Sequence, residues 1–189
     1  GVASLAGALK NMKNSIQKLL LYYNNIGAEG CDPLSEVLPL CTNLSTFDIS
    51  NNSIGSQGAE FISSGLKFLK KIEQLDLSWN SIGKEGAYAI SIALKQHSKL
   101  RILDLSWNLM CYEGAYHISM GISNCLNIEK LHLFYNDIGS DGLRFIILVI
   151  KKLKNLKELY LSNNNIDSDG ASHLAQVIKE CPVLVKLDL

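Results

Sequence analysis

Asp104, Ser106 and His132 are the residue types of a hydrolytic site, and their spacing in the chain puts them within reach of one another. His132 follows Asp104 by 28 residues, the step at which this sequence repeats itself. If residues one step apart lie side by side, His132 faces Asp104 with Ser106 two residues along, the components of nucleophilic catalysis. The row Asp76, Asp104 and His132 also offers three donors to a metal ion. Both readings fail on the surroundings. A flat open sheet gives neither the pocket nor the oxyanion donors that acyl transfer requires, and exposed strands about 4.8 Å apart make a poor metal cage. Gly-x-x-Gly pairs recur at every turn (Gly55/Gly58, Gly83/Gly86, Gly139/Gly142) and so mark turns, not a phosphate loop. No catalytic residue, no metal and no cofactor is expected.

The remaining reactive side chains point to structure. Cys31, Cys41, Cys111, Cys125 and Cys181 follow no disulfide or zinc spacing. Cys41, Cys125 and Cys181 share one repeat position with His97, which reads as a packed core or edge site. His117 and His173 fall on helix surfaces. Free buried thiols suit a reducing compartment and point to the cytoplasm, although the sequons Asn43-Leu44-Ser45 and Asn51-Asn52-Ser53 pull the other way. Eighteen basic and eighteen acidic residues cancel, so no net field draws the chain to nucleic acid or to an anionic membrane. No apolar run reaches the roughly 18 residues of a membrane span.

What must position these residues is a repeat. Leu-Asp-Leu-Ser-Trp-Asn occurs at Leu75 and again at Leu103, and the step of 28 carries Asn24 to Asn52, Asn80, Asn108, Asn136 and Asn164 without a miss. Six units begin at Ile16, Leu44, Ile72, Leu100, Ile128 and Leu156; residues 1–15 and 184–189 are part-units, so residues 16–183 and both flanks form one domain. Within a unit, Leu75 and Leu77 alternate with Gln74, Asp76 and Ser78, which predicts a strand buried on one face. From Gly86 the apolar spacing becomes three and four, which predicts a helix with one buried stripe. Acids stand at the helix starts (Glu29, Glu85, Glu113, Asp141, Asp169) and lysines near the ends (Lys67, Lys95, Lys151, Lys179), each suiting the helix dipole. A single unit cannot bury its apolar face, so neighbours must stack with parallel strands inside and the wider helices outside. The asparagine column has its own reason. An inward amide both donates and accepts, satisfying backbone groups where the chain leaves the ladder.

The unit Leu-x-x-Leu-x-Leu-x-x-Asn-x-Ile-Gly-x-x-Gly-Ala resembles the ribonuclease-inhibitor-like leucine-rich repeats, a group that includes the repeat domains of NOD-like receptors and the Ran GTPase-activating protein. The likeness spans essentially the whole chain. It departs at Met110-Cys111, which stand for Ile-Gly, and at Asp167, which stands for Gly. The resemblance implies an α/β horseshoe solenoid with a parallel sheet on the concave face, helices on the convex face, and protein binding. Two other roles stay open: an architectural, sensor or autoinhibitory segment of a NOD-like receptor-type protein, and Ran-type GTPase activation. The second is disfavoured by the chain's only two arginines, because Arg101 opens a strand and Arg144 lies on a helix.

Reading the strand positions that face the hollow gives three columns: Leu20, Asp48, Asp76, Asp104, His132, Tyr160, Asp188; then Tyr22, Ser50, Ser78, Ser106, Phe134, Ser162; then Tyr23, Asn51, Trp79, Trp107, Tyr135, Asn163. The aromatics Trp79, Trp107, Phe134 and Tyr135 are expected to be at least half exposed, and such side chains dominate interface hot spots. Asp48, Asp76 and Asp104 put like charges on successive strands, which costs stability and suits a partner with a basic patch. The expected contact set is Trp79, Trp107, Tyr135, Phe134, Tyr23, Tyr160, Asp48, Asp76, Asp104 and His132. Neither end carries a polar cap, so a piece of a longer protein is expected. The strand at Val185–Leu189 is an edge that invites an end-to-end homodimer.

Overall fold

The computed structural model describes residues 1–189. Seven three-residue strands alternate with seven helices. The helices are α1 (Val2–Met12), α2 (Gly27–Val37), α3 (Gly55–Leu66), α4 (Gly83–Leu94), α5 (Cys111–Gly121), α6 (Gly139–Ile150) and α7 (Ser168–Ile178). The strands are β1 (Lys18–Leu20), β2 (Thr46–Asp48), β3 (Gln74–Asp76), β4 (Ile102–Asp104), β5 (Lys130–His132), β6 (Glu158–Tyr160) and β7 (Lys186–Asp188). The strands form one parallel sheet in chain order. Every pairing joins residues 28 apart, so Leu20, Asp48, Asp76, Asp104, His132, Tyr160 and Asp188 stand in one row, in the register expected from the repeat. Each helix packs on the next. The product is a solenoid of stacked strand-and-helix units, with the parallel sheet on one face and the helices on the other. No helix is long and apolar enough to cross a membrane.

The core is one continuous cluster of 48 buried apolar residues running the length of the stack, so the units share a core and none has its own. The asparagines stitch the seam beside it. Asn108 Nδ2 donates to the Leu77, Leu105 and Ser106 carbonyls at 2.9–3.1 Å. Its Oδ1 accepts from the Asn80 and Ile82 backbone N–H groups at 3.1 and 3.4 Å. One side chain therefore ties its own turn to the turn before it. Asn52, Asn80, Asn136 and Asn164 repeat the pattern and are 0–2% exposed. Asn24 departs from it: with no turn before it, it lies exposed and its amide bonds only to Leu21 and Tyr22 of its own unit.

The helices begin three residues earlier than the apolar spacing indicates, at the first glycine of each pair. Gly83 swings the chain into the helix at φ +63°. Gly86 lies in the first turn, where a Cβ would sit 2.8 Å from Ile82 Cβ, so the missing side chain is what lets the turn close. The two departures from the motif resolve differently. Met110 is fully buried in the isoleucine's place, while Cys111 takes the glycine's left-handed conformation at φ +57°. Asp167 abandons that conformation for an extended one and caps α7 by accepting from Gly170 N–H at 2.8 Å. Acids stand in the first turns of α2 and α4–α7, and Lys67, Lys95, Lys151 and Lys179 are the residues that close their helices.

All five cysteines are free. Cys41, Cys125 and Cys181 are buried, and burial pushes the Cys31 and Cys125 thiols up to about 12, which keeps them protonated and inert. His97, in the same repeat position, is 1% exposed; its two ring nitrogens lie 2.8 Å from the Ala93 carbonyl and 3.1 Å from the Leu66 carbonyl. It therefore bridges the ends of α3 and α4, a packing role, and burial holds its pKa below the ordinary imidazole value.

Candidate partner-binding surface on the inner sheet

Residues Tyr23, Asn51, Trp79, Trp107, Tyr135 and Asn163 follow the strands at the point where the chain turns out of the sheet. All six sit at φ between +53° and +59°. This left-handed conformation costs a bulky L-residue about 1–2 kcal/mol. It is imposed by the turn, and the turn is fixed by the asparagine that follows it. Because each copy has the same backbone conformation at a constant spacing, successive rings meet face to face. Trp79 and Trp107 stack with centroids 3.9 Å apart, and Trp107 and Tyr135 at 3.7 Å, tilted by 16° and 12°. Phe134 stands edge-on to Tyr135 at 6.3 Å. Trp79 is 48% exposed and Tyr135 40%. All four thus fall short of the expected half exposure, and Trp107 and Phe134 are the more covered pair, because Trp107 is sandwiched between two rings and Phe134 leans on the third. What solvent reaches is the rim of a three-ring stack.

The acidic row runs beside this stack. Asp48 and Asp76 each accept from the backbone N–H and the hydroxyl of the serine two residues on, at 2.7–2.9 Å. Asp76, the middle member, carries the strain of the row. Burial, and then the neighbouring Asp104 and Asp48 charges, push its carboxyl up to about 6 against the pull of Ser78. Asp104 accepts from Ser106 N–H and lies 2.9 Å from His132 Nδ1. These carboxylates border a hollow whose other walls include Leu20, Phe47 and Gln74.

His132 does face Asp104, yet the Ser106 hydroxyl is fully buried and, like His132 Nε2, has no hydrogen-bond partner, so the nucleophile–base bond is absent. Nor are any three His, Cys, Asp or Glu side chains placed to share a metal ion. The expected contact residues fall into two groups: the stack of Trp79, Trp107, Tyr135 and Phe134, and the row of Asp48, Asp76, Asp104 and His132. Tyr160 joins the second group edge-on to His132 at 4.3 Å, with Lys186 over its ring at 4.7 Å. Tyr23 joins neither. It is 78% exposed, and Asn51 separates it from Trp79. Residue type and register locate both groups. Face-to-face stacking follows from the constant step together with the left-handed turn.

Comparison with known proteins agrees with this geometry. The family model described as "Leucine Rich repeat" matches residues 40–63, 69–91, 96–119, 124–146 and 152–175, well over half of the chain. The chain belongs to the leucine-rich-repeat family. No curated protein matches it at significant similarity. Among solved structures, this leucine-rich-repeat chain is similar to an internalin from Listeria monocytogenes at 20% identity and a TM-score of 0.63, covering 100% of this chain and 51% of that one. It is also similar to the structure titled leiomodin-1 actin-binding site 2, at 18% identity and a TM-score of 0.60, covering 94% of this chain and 87% of that one. At such identities the likeness is one of fold. The chain spans about half the length of the internalin.

Proposed function

We propose that this leucine-rich-repeat domain is a non-enzymatic protein-binding scaffold that grips a partner through its inner sheet. The single observation that carries this reading is the stack of Trp79, Trp107 and Tyr135, lying along a row of three aspartates. Large aromatics at the edge of a concave surface are the residues on which interfaces concentrate binding energy. Burial first, and then the Asp104 and Asp48 charges beside it, push the Asp76 carboxyl up to about 6, and a cation set against the row relieves the charge part of that penalty, so the partner carries a basic patch. Solenoids use their concave surfaces in this way, and the leiomodin neighbour is itself a segment titled as binding actin.

The finer assignments follow the same line. A constant 28-residue step with an outer helix of 11 or 12 residues in every full unit favours the ribonuclease-inhibitor-like subtype. Five free thiols favour a cytoplasmic setting. Within that subtype a sensor or autoinhibitory segment of a NOD-like receptor-type protein is the second reading. Ran-type GTPase activation is not favoured, because Arg101, just before β4, pairs with Glu129 and Glu73, and Arg144, within α6, pairs with Asp141.

The test compares proteins retained from cell extract, by quantitative mass spectrometry, on the parent chain, Trp79→Ala/Trp107→Ala and Asp76→Lys. The expected result is a partner lost from both variants and released from the parent by salt. Partner sets identical for all three chains would sink the proposal; loss only with the tryptophans would remove the basic patch.

A further inference from the structure

The outer helices repeat as strictly as the strands, so each unit can be compared with its neighbours position by position. Two helix positions are exposed in all six full units. The first reads Asp32, Glu60, Tyr88, Tyr116, Arg144, Ser172; the second, four residues on, reads Glu36, Ser64, Ile92, Met120, Leu148, Gln176. Toward both ends the side chains are polar, the ordinary choice on a water-facing stripe. In the middle, Arg144 apart, they are not. Tyr88 is 53% exposed, Ile92 45%, Tyr116 42%, Met120 50% and Leu148 63%. Phe145 extends the patch edge-on to Tyr116 at 5.0 Å, and His117 sits edge-on to both Tyr88 and Tyr116. The fold does not ask for these residues, since α2, α3 and α7 fill the same places with polar ones. A contiguous apolar patch on an otherwise polar face marks a contact.

The charged rim decides what covers it. Toward the helix starts, on the α3–α4 side, Glu60, Glu85 and Glu113 surround a hollow against Tyr88 and His117, and Lys84 answers only Glu113, at 3.0 Å. Diagonally across, between the ends of α5 and α6, Tyr116, Met120, Phe145 and Leu148 line a second hollow whose charged wall is Lys152. Glu60, Glu85 and Lys152 have no ion-pair partner within the chain. A two-fold axis normal to the surface and passing between Tyr116 and Met120 runs the helices antiparallel, sets each copy's Leu148 over the other's Tyr88 and each copy's Lys152 beside the other's Glu85, and so covers the apolar middle with itself. With a net charge of zero, two copies meet no overall repulsion.

We propose that the outer face of α4–α6 is an isologous docking surface for a second copy of this chain, independent of the inner sheet. The test is sedimentation equilibrium of the 189-residue chain across a wide concentration range. The expected result is a monomer–dimer equilibrium. Leu148→Asp raises its dissociation constant about tenfold or more, with melting unchanged because the side chain is exposed. Lys152→Glu and Glu85→Lys each weaken it roughly threefold, and the double variant restores it to near the parent value. A mass of one chain at every concentration overturns the proposal. So does a dimer indifferent to Leu148→Asp, one lost with Val185→Asp in β7 (end-to-end stacking), or a double variant no better than the singles.

Discussion

Trp79 and Asn80 are adjacent in sequence, and each is one rung of a ladder that climbs the same flank of the solenoid 28 residues at a time. The two ladders obey different rules. The asparagine ladder is the same residue in every unit, is buried from Asn52 to Asn164, and spends both ends of each amide on backbone groups that nothing else satisfies. The ladder beside it shares one backbone conformation, imposed at φ near +55°, yet its side chains vary from asparagine to tyrosine to tryptophan and become a continuous aromatic stack only in the three middle units. The backbone dictates the first ladder completely. It dictates only the conformation of the second, and leaves the choice of side chain to whatever meets that edge from outside.

The sharpest way to break this distinction is inside the asparagine ladder. Asn108→Ala strands buried backbone groups of two units and is expected to cost about 1–3 kcal/mol in urea denaturation. Asn24→Ala, exposed and bonded only within its own turn, is expected to cost no more than about 0.5 kcal/mol. Equal losses at the two sites would mean that the residue type matters and its place in the ladder does not.

The acidic row gives a pH-dependent prediction. Asp76 has a folded carboxyl raised to about 6 from an ordinary 3.8, so its ionisation opposes folding. Its neutral form adds no penalty at acid pH, and the penalty grows as pH rises through about 6. Asp76→Asn is therefore expected to stabilise the fold by on the order of 1 kcal/mol at pH 7.5, discounted for partial solvent access, and by nothing measurable at about pH 3.5. The same variant weakens a basic partner, because the ionised carboxylate is the form a cation prefers. Melting temperatures across pH check the first half; a stabilisation equal at both pH values would remove the row's strain.

The smallest effect sharpens the second ladder. Asn51 already holds the left-handed conformation next to Trp79, so Asn51→Trp extends the stack by one ring for less than about 1 kcal/mol either way, because stacking offsets the added strain. Near-ultraviolet circular dichroism should gain intensity from the added indole pair. An unchanged spectrum would mean that the turn does not by itself align the rings.

Much of this was legible in the residues. A step of 28 without insertion leaves the strands no freedom of register, so the row from Leu20 to Asp188 and the aspartate beside His132 follow from counting. The asparagine's double duty follows from its chemistry. Helix starts were less legible, because apolar spacing reports where a helix becomes buried and not where Gly83 turns the chain into it. The exposure of Trp107 was overestimated because a single-residue reading does not see two rings closing over a third. Sequence reading missed the apolar patch of Tyr88, Met120 and Leu148 altogether. Inside any one helix those residues pass for ordinary amphipathic scatter, and they stand out only when the same position is read across all six units.

The most direct test of the division between the two ladders needs no partner and only two neighbouring substitutions: the urea midpoints of Trp79→Gly and Asn80→Ala beside the parent. Trp79→Gly loses one stacking face but relieves a left-handed tryptophan, so its stability should stay within about 1 kcal/mol of the parent. Asn80→Ala should fall by about 1–3 kcal/mol. A Trp79→Gly loss as large as that at Asn80 would make the aromatic stack part of the scaffold, and would contradict its being a surface held ready for a partner.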